Sequence, residues 1–144
     1  MNFPLFLDLH GKKVVVVGGG TIALRRISVL LSFGARVTVV APEVRQLPEG
    51  ALWLSRPYET GDLEGALFAV AATNDRSVNH RVGVDAGAIG IPVSVADCLA
   101  ECTCFFPAVC QGGNLIAGVV GDGTDHHRTA RAARAIRKTL EELE

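Results

Sequence analysis

Lys13-Val14-Val15-Val16-Val17-Gly18-Gly19-Gly20-Thr21-Ile22-Ala23 is the stretch whose reading settles the architecture. Its first half is an unbroken β-branched run without a polar face, the pattern of a central parallel strand covered on both sides. Three glycines end the run, and the period then becomes helical. Over residues 21–33, Ile22, Ala23, Ile27, Leu30 and Leu31 fall near one face, Arg25 and Arg26 outside it, and Gly34 supplies a stop. Arg36-Val37-Thr38-Val39-Val40 reads as a second strand closed by Ala41-Pro42. Strand, helix and strand together have the length that a right-handed parallel crossover requires.

Further out the alternation continues less regularly. Residues 51–54, 67–72 and 91–96 read as strands, with a short helical turn around 61–64 and a helix over 75–89 weakened by Gly83 and Gly87. After Asp97 the character changes. Two apolar runs, 105–110 and 115–120, flank Gln111-Gly112-Gly113-Asn114 and predict a hairpin, and a last helix is expected over 125–143. The expected fold class is therefore α/β: a Rossmann-type parallel sheet with helices on both faces, followed by a short β-hairpin and a C-terminal helix.

The totals agree with a single ordinary domain of 144 residues, 49% hydrophobic and 20% charged, with a net charge of −1 that gives no basic excess for nucleic acid. Apolar stretches such as 14–17 and 67–72 fall far short of the roughly 18 residues that span a bilayer, so no membrane segment is expected. Met1-Asn2-Phe3-Pro4-Leu5-Phe6 lacks the pattern of a signal peptide, which predicts a cytoplasmic protein. Cys98, Cys102, Cys104 and Cys110 lack the paired C-x2-C knuckles of a zinc ribbon and read as buried or incidental thiols, with no metal expected.

Residues 18–23 fit G-x-G-x-x-A between a buried strand and an amphipathic helix, the context in which that pattern carries meaning. Gly18 permits the tight turn, Gly20 lets backbone approach phosphates, and Ala23 allows close helix-sheet packing, while the helix N-terminus offers free N–H groups to a pyrophosphate. The alternative is a glycine turn without a ligand. Glu43, at the end of the second strand, can hydrogen-bond a ribose hydroxyl and repel an extra phosphate, which favours NAD; Arg45 leaves NADP open. Thr73 and Asn74 lie in a polar turn at the sheet's carboxyl edge, where they can line a ligand site or cap the next helix.

Together these segments resemble one family. Phe3-Pro4-Leu5-Phe6-Leu7-Asp8-Leu9, the glycine turn, Gly34 to Glu43, Ala71-Ala72-Thr73-Asn74-Asp75 with Val78-Asn79, Val95-Ala96-Asp97 and Phe105-Phe106-Pro107-Ala108 follow in the order and spacing of the NAD-dependent precorrin-2 dehydrogenases. That family includes the N-terminal part of the fused sirohaem synthases. The resemblance implies a dinucleotide along Thr21, Ile22, Pro42 and Glu43, with the Thr73 turn beside it, and Asp97 as the catalytic residue. Read without it, Asp97 is a strand-end or turn aspartate. The implied reaction moves a hydride from precorrin-2 to NAD with loss of a proton, giving sirohydrochlorin. Some relatives also insert ferrous iron into that product.

The substrate that the resemblance implies is a polycarboxylate, so Arg128 and Arg131, in an i+3 row with Arg134 and Arg137, are candidate substrate contacts, or simply a solvated helix face. His126 and His127 point to different helix faces and do not make a shared metal site. The expected division is residues 1–103 as the NAD-binding domain and 104–144 as hairpin plus helix. By resemblance the second segment forms a homodimer interface, with Phe105-Phe106 at its core.

The chain departs from the family pattern at Gly121-Asp122-Gly123-Thr124-Asp125-His126-His127, where relatives carry a serine-rich turn, and at Ser94, where asparagine is frequent. Family members commonly continue beyond the position of Glu144 as a helical domain, so the expectation is a shortened member, a piece of a longer protein, or a site completed by a partner subunit. Two rivals stand against the dehydrogenase: a non-catalytic dinucleotide sensor, which leaves Asp97 unexplained, and a chelatase with a vestigial nucleotide site.

Overall fold

Strand β1 (Lys13–Val17) has a parallel neighbour on each side, and its four valines are almost wholly buried. Each such side chain contributes about 1.5–3 kcal/mol relative to exposure, which suits this run to the middle of a sheet. The computed structural model describes residues 2–143. Around β1 lie α1 (Thr21–Ser32), β2 (Arg36–Val40), β3 (Leu52–Leu54), β4 (Phe68–Ala71), α2 (Arg76–Ile89) and β5 (Val93–Val95). The five strands are all parallel, in the order β3-β2-β1-β4-β5.

This order reverses direction at β1. The chain steps outward from β1 to β2 to β3, then returns to the other side for β4 and β5, which makes the β1/β4 boundary a topological switch point. Right-handed crossovers running in opposite senses put α1 and α2 on opposite faces. Val15, Val17, Ala69, Ala71, Val93 and Val95 share one core with Val82 and Ala86 of α2, and Tyr58, Leu63 and Ala66 from the β3–β4 connection join it. On α1, Ala23, Ile27 and Leu30 are the buried residues.

Two details of α1 differ from the pattern. Ile22 is 53% exposed because it sits in the first turn, above the sheet edge, before the helix reaches the core. Arg26 is not outside: it is half-buried, and its Nη1 donates to Ser94 Oγ at 3.3 Å.

The chain divides after Cys104 into two compact units. The second pairs β6 (Ala108–Gly112) with β7 (Leu115–Val119) antiparallel and adds α3 (His126–Glu142). The hairpin turn is tighter than the four-residue reading, only Gly113-Asn114, with Gly113 at φ 55° in the first central position as a type II′ turn requires. Phe105 and Phe106 precede β6 and lie outside the hairpin. A Cβ on Gly112 would overlap Leu140, so the strand packs backbone-close on α3. Cys110 is buried and donates to the Ala133 carbonyl at 3.3 Å, while the exposed Arg137 donates to the Val109 carbonyl at 3.0 Å. Among the described residues no helix is long and apolar enough to cross a membrane.

Candidate functional site at the carboxyl edge of the sheet

Because every strand of the sheet runs the same way, the turns after β1, β2, β4 and β5 all emerge at one edge. The register aligns Val17 with Val40 and with Ala71, and Ala71 with Val95, so the four exits start level. The ladder continues one step into the turns through Gly18 N–H to the Val40 carbonyl, Ala72 N–H to the Val17 carbonyl and Ala96 N–H to the Ala71 carbonyl. Glu43 thus follows the strand on one side of the glycine turn, and Thr73 and then Asp97 follow on the other. Two strand spacings, about 10 Å, separate the exits of β1 and β5.

The three glycines do three different things. Gly18 is buried at φ 127°, and a Cβ there would collide with the Ala72 carbonyl, so this position requires glycine for both conformation and space. A Cβ on Gly19 would strike the Glu43 carbonyl and Val44, which lets the chain leaving β2 cross close over the turn. The sequence pattern treats this position as variable and gave Gly19 no role. Gly20 faces open space, with nothing within 4 Å of a built Cβ.

Gly20 is also the N-cap of α1, and no side chain caps the helix. Leu24 N–H reaches the Gly20 carbonyl, so the preceding amides of Thr21, Ile22 and Ala23 are the ones the helix leaves free. No acidic residue occupies the first turn. A twelve-residue helix with a bare N-terminus, entered through glycine and opening on a switch point, has the donor set that a pyrophosphate needs. The residues present therefore fit a dinucleotide.

Pro42 and Glu43 are both exposed just past β2. Two side chains from β3 and its exit, unremarked in the sequence reading, steady this turn: Trp53 Nε1 donates to the Ala41 carbonyl at 2.8 Å, and Ser55 Oγ to the Pro42 carbonyl at 3.3 Å.

After β4 the arrangement is closed rather than open. The helix cap is Asp75, not Thr73 or Asn74: its carboxylate accepts from the backbone N–H groups of Ser77 and Val78. Ser77's hydroxyl, and then those two N–H groups, hold the Asp75 carboxyl below the usual carboxylate range. Thr73 is instead tied to Asn79, which is fully buried. Asn79 Oδ1 accepts from Thr73 N–H at 3.0 Å and Oγ1 at 2.7 Å, and Asn79 Nδ2 donates to the Thr73 carbonyl at 3.1 Å. Asn74 is exposed at the tip.

Asp97, exposed two residues after β5, receives Arg76 Nη1 on Oδ1 at 2.6 Å. The other nitrogen of that guanidinium, Nη2, donates to Glu101, whose second oxygen pairs with His80 Nδ1 at 3.0 Å. His80 and then Arg76 hold the Glu101 carboxyl below its ordinary value. Arg76, Glu101 and His80 were missed in the sequence, because contacts between a helix and a later loop leave no local spacing signal.

The cysteines serve packing. Cys102 accepts Val95 N–H at 3.1 Å and donates to the Val95 carbonyl at 3.2 Å, and burial pushes the Cys104 thiol up to about 11, away from thiolate chemistry at neutral pH. Among the described residues no cluster of three or more His, Cys, Asp and Glu side chains could hold a metal ion. Arg128 and Arg131 are exposed on α3, in the second unit.

A family model described as "Putative NAD(P)-binding" matches residues 5–108. The chain is 44% identical over 144 residues to the "Probable multifunctional siroheme biosynthesis protein HemA" of Ruminiclostridium josui, covering 95% of this chain and 28% of that protein. It is 44% identical over 136 residues to the "Siroheme synthase" of Ectopseudomonas mendocina, covering 92% of this chain and 29% of that protein. The chain thus spans under a third of the length of these curated relatives. Among solved structures, "SirC, precorrin-2 dehydrogenase" superposes with a TM-score of 0.78 at 31% identity, covering 99% of this chain and 73% of that one.

Proposed function

We infer the function from one premise: the chain belongs to the NAD(P)-binding family that the precorrin-2 dehydrogenase SirC and the N-terminal parts of the siroheme synthases share. On that premise it oxidises precorrin-2 to sirohydrochlorin with NAD as the acceptor. One observation carries the reading: a glycine turn with an uncapped helix N-terminus, flanked on one side by Glu43 and on the other by a carboxylate, Asp97, along a single sheet edge.

The site residues divide the work by position. Gly18, Gly20 and the amides of Thr21, Ile22 and Ala23 receive the pyrophosphate, favoured by the helix dipole. Pro42 and Glu43 hold the adenosine ribose, and Glu43 disfavours a 2′-phosphate, which selects NAD over NADP. Thr73 and Asn74 border the path toward β5, with Thr73 fixed by Asn79. When bound, NAD supplies the hydride acceptor. Asp97 Oδ2, which takes no hydrogen bond among the described residues, accepts the proton that the macrocycle loses with the hydride and returns it to water. Precorrin-2 is thereby oxidised by two electrons, and NADH and one proton are the other products.

The exposed Arg128 and Arg131 are assigned to the substrate's carboxylates. A homodimer formed through the second unit is part of the reading, supported by the exposed apolar side chains Leu115, Ile116 and Val120 of that unit. Four unpaired cysteines fit a reducing, cytoplasmic location. The experiment is anaerobic incubation of the protein with precorrin-2 and NAD, following NADH and the sirohydrochlorin spectrum, with NADP and Asp97→Asn in parallel. NAD-dependent turnover lost in the variant is the expected result. NAD binding without turnover would replace the enzyme with a dinucleotide sensor.

A further inference from the structure

Arg76 is the first residue of α2, the place in a helix where a cation is electrostatically least welcome, since the dipole is positive there. Its side chain does not stay in solvent. One guanidinium nitrogen holds Asp97 Oδ1 at 2.6 Å and the other holds Glu101, so a single planar group bridges two carboxylates from the β5 exit. His80, one turn further along the same helix face, takes Glu101's remaining oxygen at 3.0 Å. The four side chains form a line: His80, Glu101, Arg76, Asp97.

Stability does not account for this arrangement. The side chains of Arg76 and Asp97 are 44% and 39% exposed, and ion pairs this wet contribute little. What the line achieves is geometric. A guanidinium fork fixes the direction of its acceptors where an ammonium would not. With Oδ1 held by the guanidinium, Asp97 presents Oδ2 as its open oxygen, and its rotation is restricted. Glu101, held on both oxygens, keeps the fork from swinging wholly onto Asp97. Its carboxyl is held below its ordinary value by His80 and Arg76, so the brace stays charged at neutral pH.

We propose that Arg76 is a positioning residue for Asp97, braced by Glu101 and His80, which aims the free Oδ2 at the proton that precorrin-2 gives up. The role rests on the reading of Asp97 as the proton acceptor. A neutral side chain at position 76 would let the carboxylate rotate through several poses, and misplacement of a base lowers the rate of proton transfer without altering nucleotide binding. Among the described residues Arg76 makes its hydrogen bonds and ion pairs to Asp97 and Glu101, not to the glycine turn or Glu43.

The test uses the full chain with NAD and precorrin-2 under anaerobic conditions, comparing wild type with Arg76→Gln, Arg76→Lys, Glu101→Gln and Asp97→Asn. Arg76→Gln is expected to lower kcat about tenfold, with Kd and KM for NAD within about twofold of wild type. Arg76→Lys should recover only part of the loss, because the charge returns but the fork does not. Glu101→Gln should lower kcat by less, in the same direction. Retained NAD binding shows that each variant is folded. An Arg76→Gln enzyme with wild-type kcat overturns the proposal, and so does Arg76→Lys at full rate beside a crippled Arg76→Gln, since charge alone would then suffice. The two failures stay separate: Asp97→Asn with full turnover removes the reading of Asp97 and Arg76's role with it, whereas a dead Asp97→Asn beside a normal Arg76→Gln removes only the positioning role.

Discussion

Two helices start from the same edge of the sheet, α1 after β1 and α2 after β4, and they treat their free amides in opposite ways. At α2 the end is closed from within: the Asp75 carboxylate takes the amides of Ser77 and Val78, and Asn79 closes the preceding Thr73 turn with three hydrogen bonds. At α1 it is not: the N-cap is glycine, with no side-chain cap and no acid in the first turn. An end capped from its own chain is finished, whereas an end left bare in a turn that demands glycine is arranged for an anion from elsewhere. The neighbouring turns thus divide into a receiving end and a rigid wall beside it.

The sharpest way to break that contrast is Gly18→Ala. The new methyl group would meet the Ala72 carbonyl in a residue held at φ 127°, so the turn after β1 would push against the turn after β4. Strain of this kind costs about 3 kcal/mol. Urea unfolding should show a large drop in midpoint, and NAD binding should be lost with it. Asn79→Ala attacks the wall instead. It leaves the Thr73 N–H without its acceptor beside a buried void, at a cost of about 2 kcal/mol. An Asn79→Ala protein as stable as wild type would mean that the β4–α2 turn does not depend on that side chain.

The receiving end was far easier to read from sequence than the wall. Four valines followed by three glycines and a helical period are local signals, and they fixed β1, the turn and α1 together. Asp75 was harder, because Thr73, Asn74 and Asp75 are all competent caps and only the backbone path shows which one faces the free amides. Asn79 looked like one more polar position on a helix, since its partner lies in the turn before the helix. Arg26 looked like an outer-face residue because helical period says nothing of how far a long side chain reaches toward a distant strand. Gly19 sits at a position that the motif leaves open, and its need for glycine comes from Glu43, in a different turn. What was legible is contiguous along the chain; of what was missed, Asp75 and Asn79 depend on the backbone path of a single turn, and the contacts of Arg26 and Gly19 are made by segments that meet only after the sheet has formed.

Gly20→Ala separates folding from binding at the receiving end. Its methyl group would enter open space, so stability should fall by less than about 1 kcal/mol, the cost of alanine at an N-cap. The methyl group would, however, stand where the backbone must approach the phosphates, and NAD affinity should fall about tenfold, or about 1.4 kcal/mol. Calorimetric titration with NAD beside a thermal melt reads both quantities. Unchanged affinity would mean that the pyrophosphate does not lie against this glycine.

Asp75→Ala should give the smallest effect, and its pH dependence makes it decisive about the wall. The hydroxyl of Ser77 and the amides of Ser77 and Val78 hold the Asp75 carboxyl below its usual value in the folded state. A depressed folded value means that the cap's contribution is fully present above the unfolded carboxylate pKa, about 4, and disappears as pH falls through the folded-state value. Wild type should therefore melt a few degrees above Asp75→Ala at pH 7. The gap should close as the pH is lowered below about 4, where protonation removes the charged acceptor from wild type as the substitution already has. NAD binding should be the same in both, because this cap serves α2 and not the bare end of α1. A variant that weakens NAD binding at unchanged melting temperature would make the wall part of the receiving site, and the division between the two turns would no longer hold.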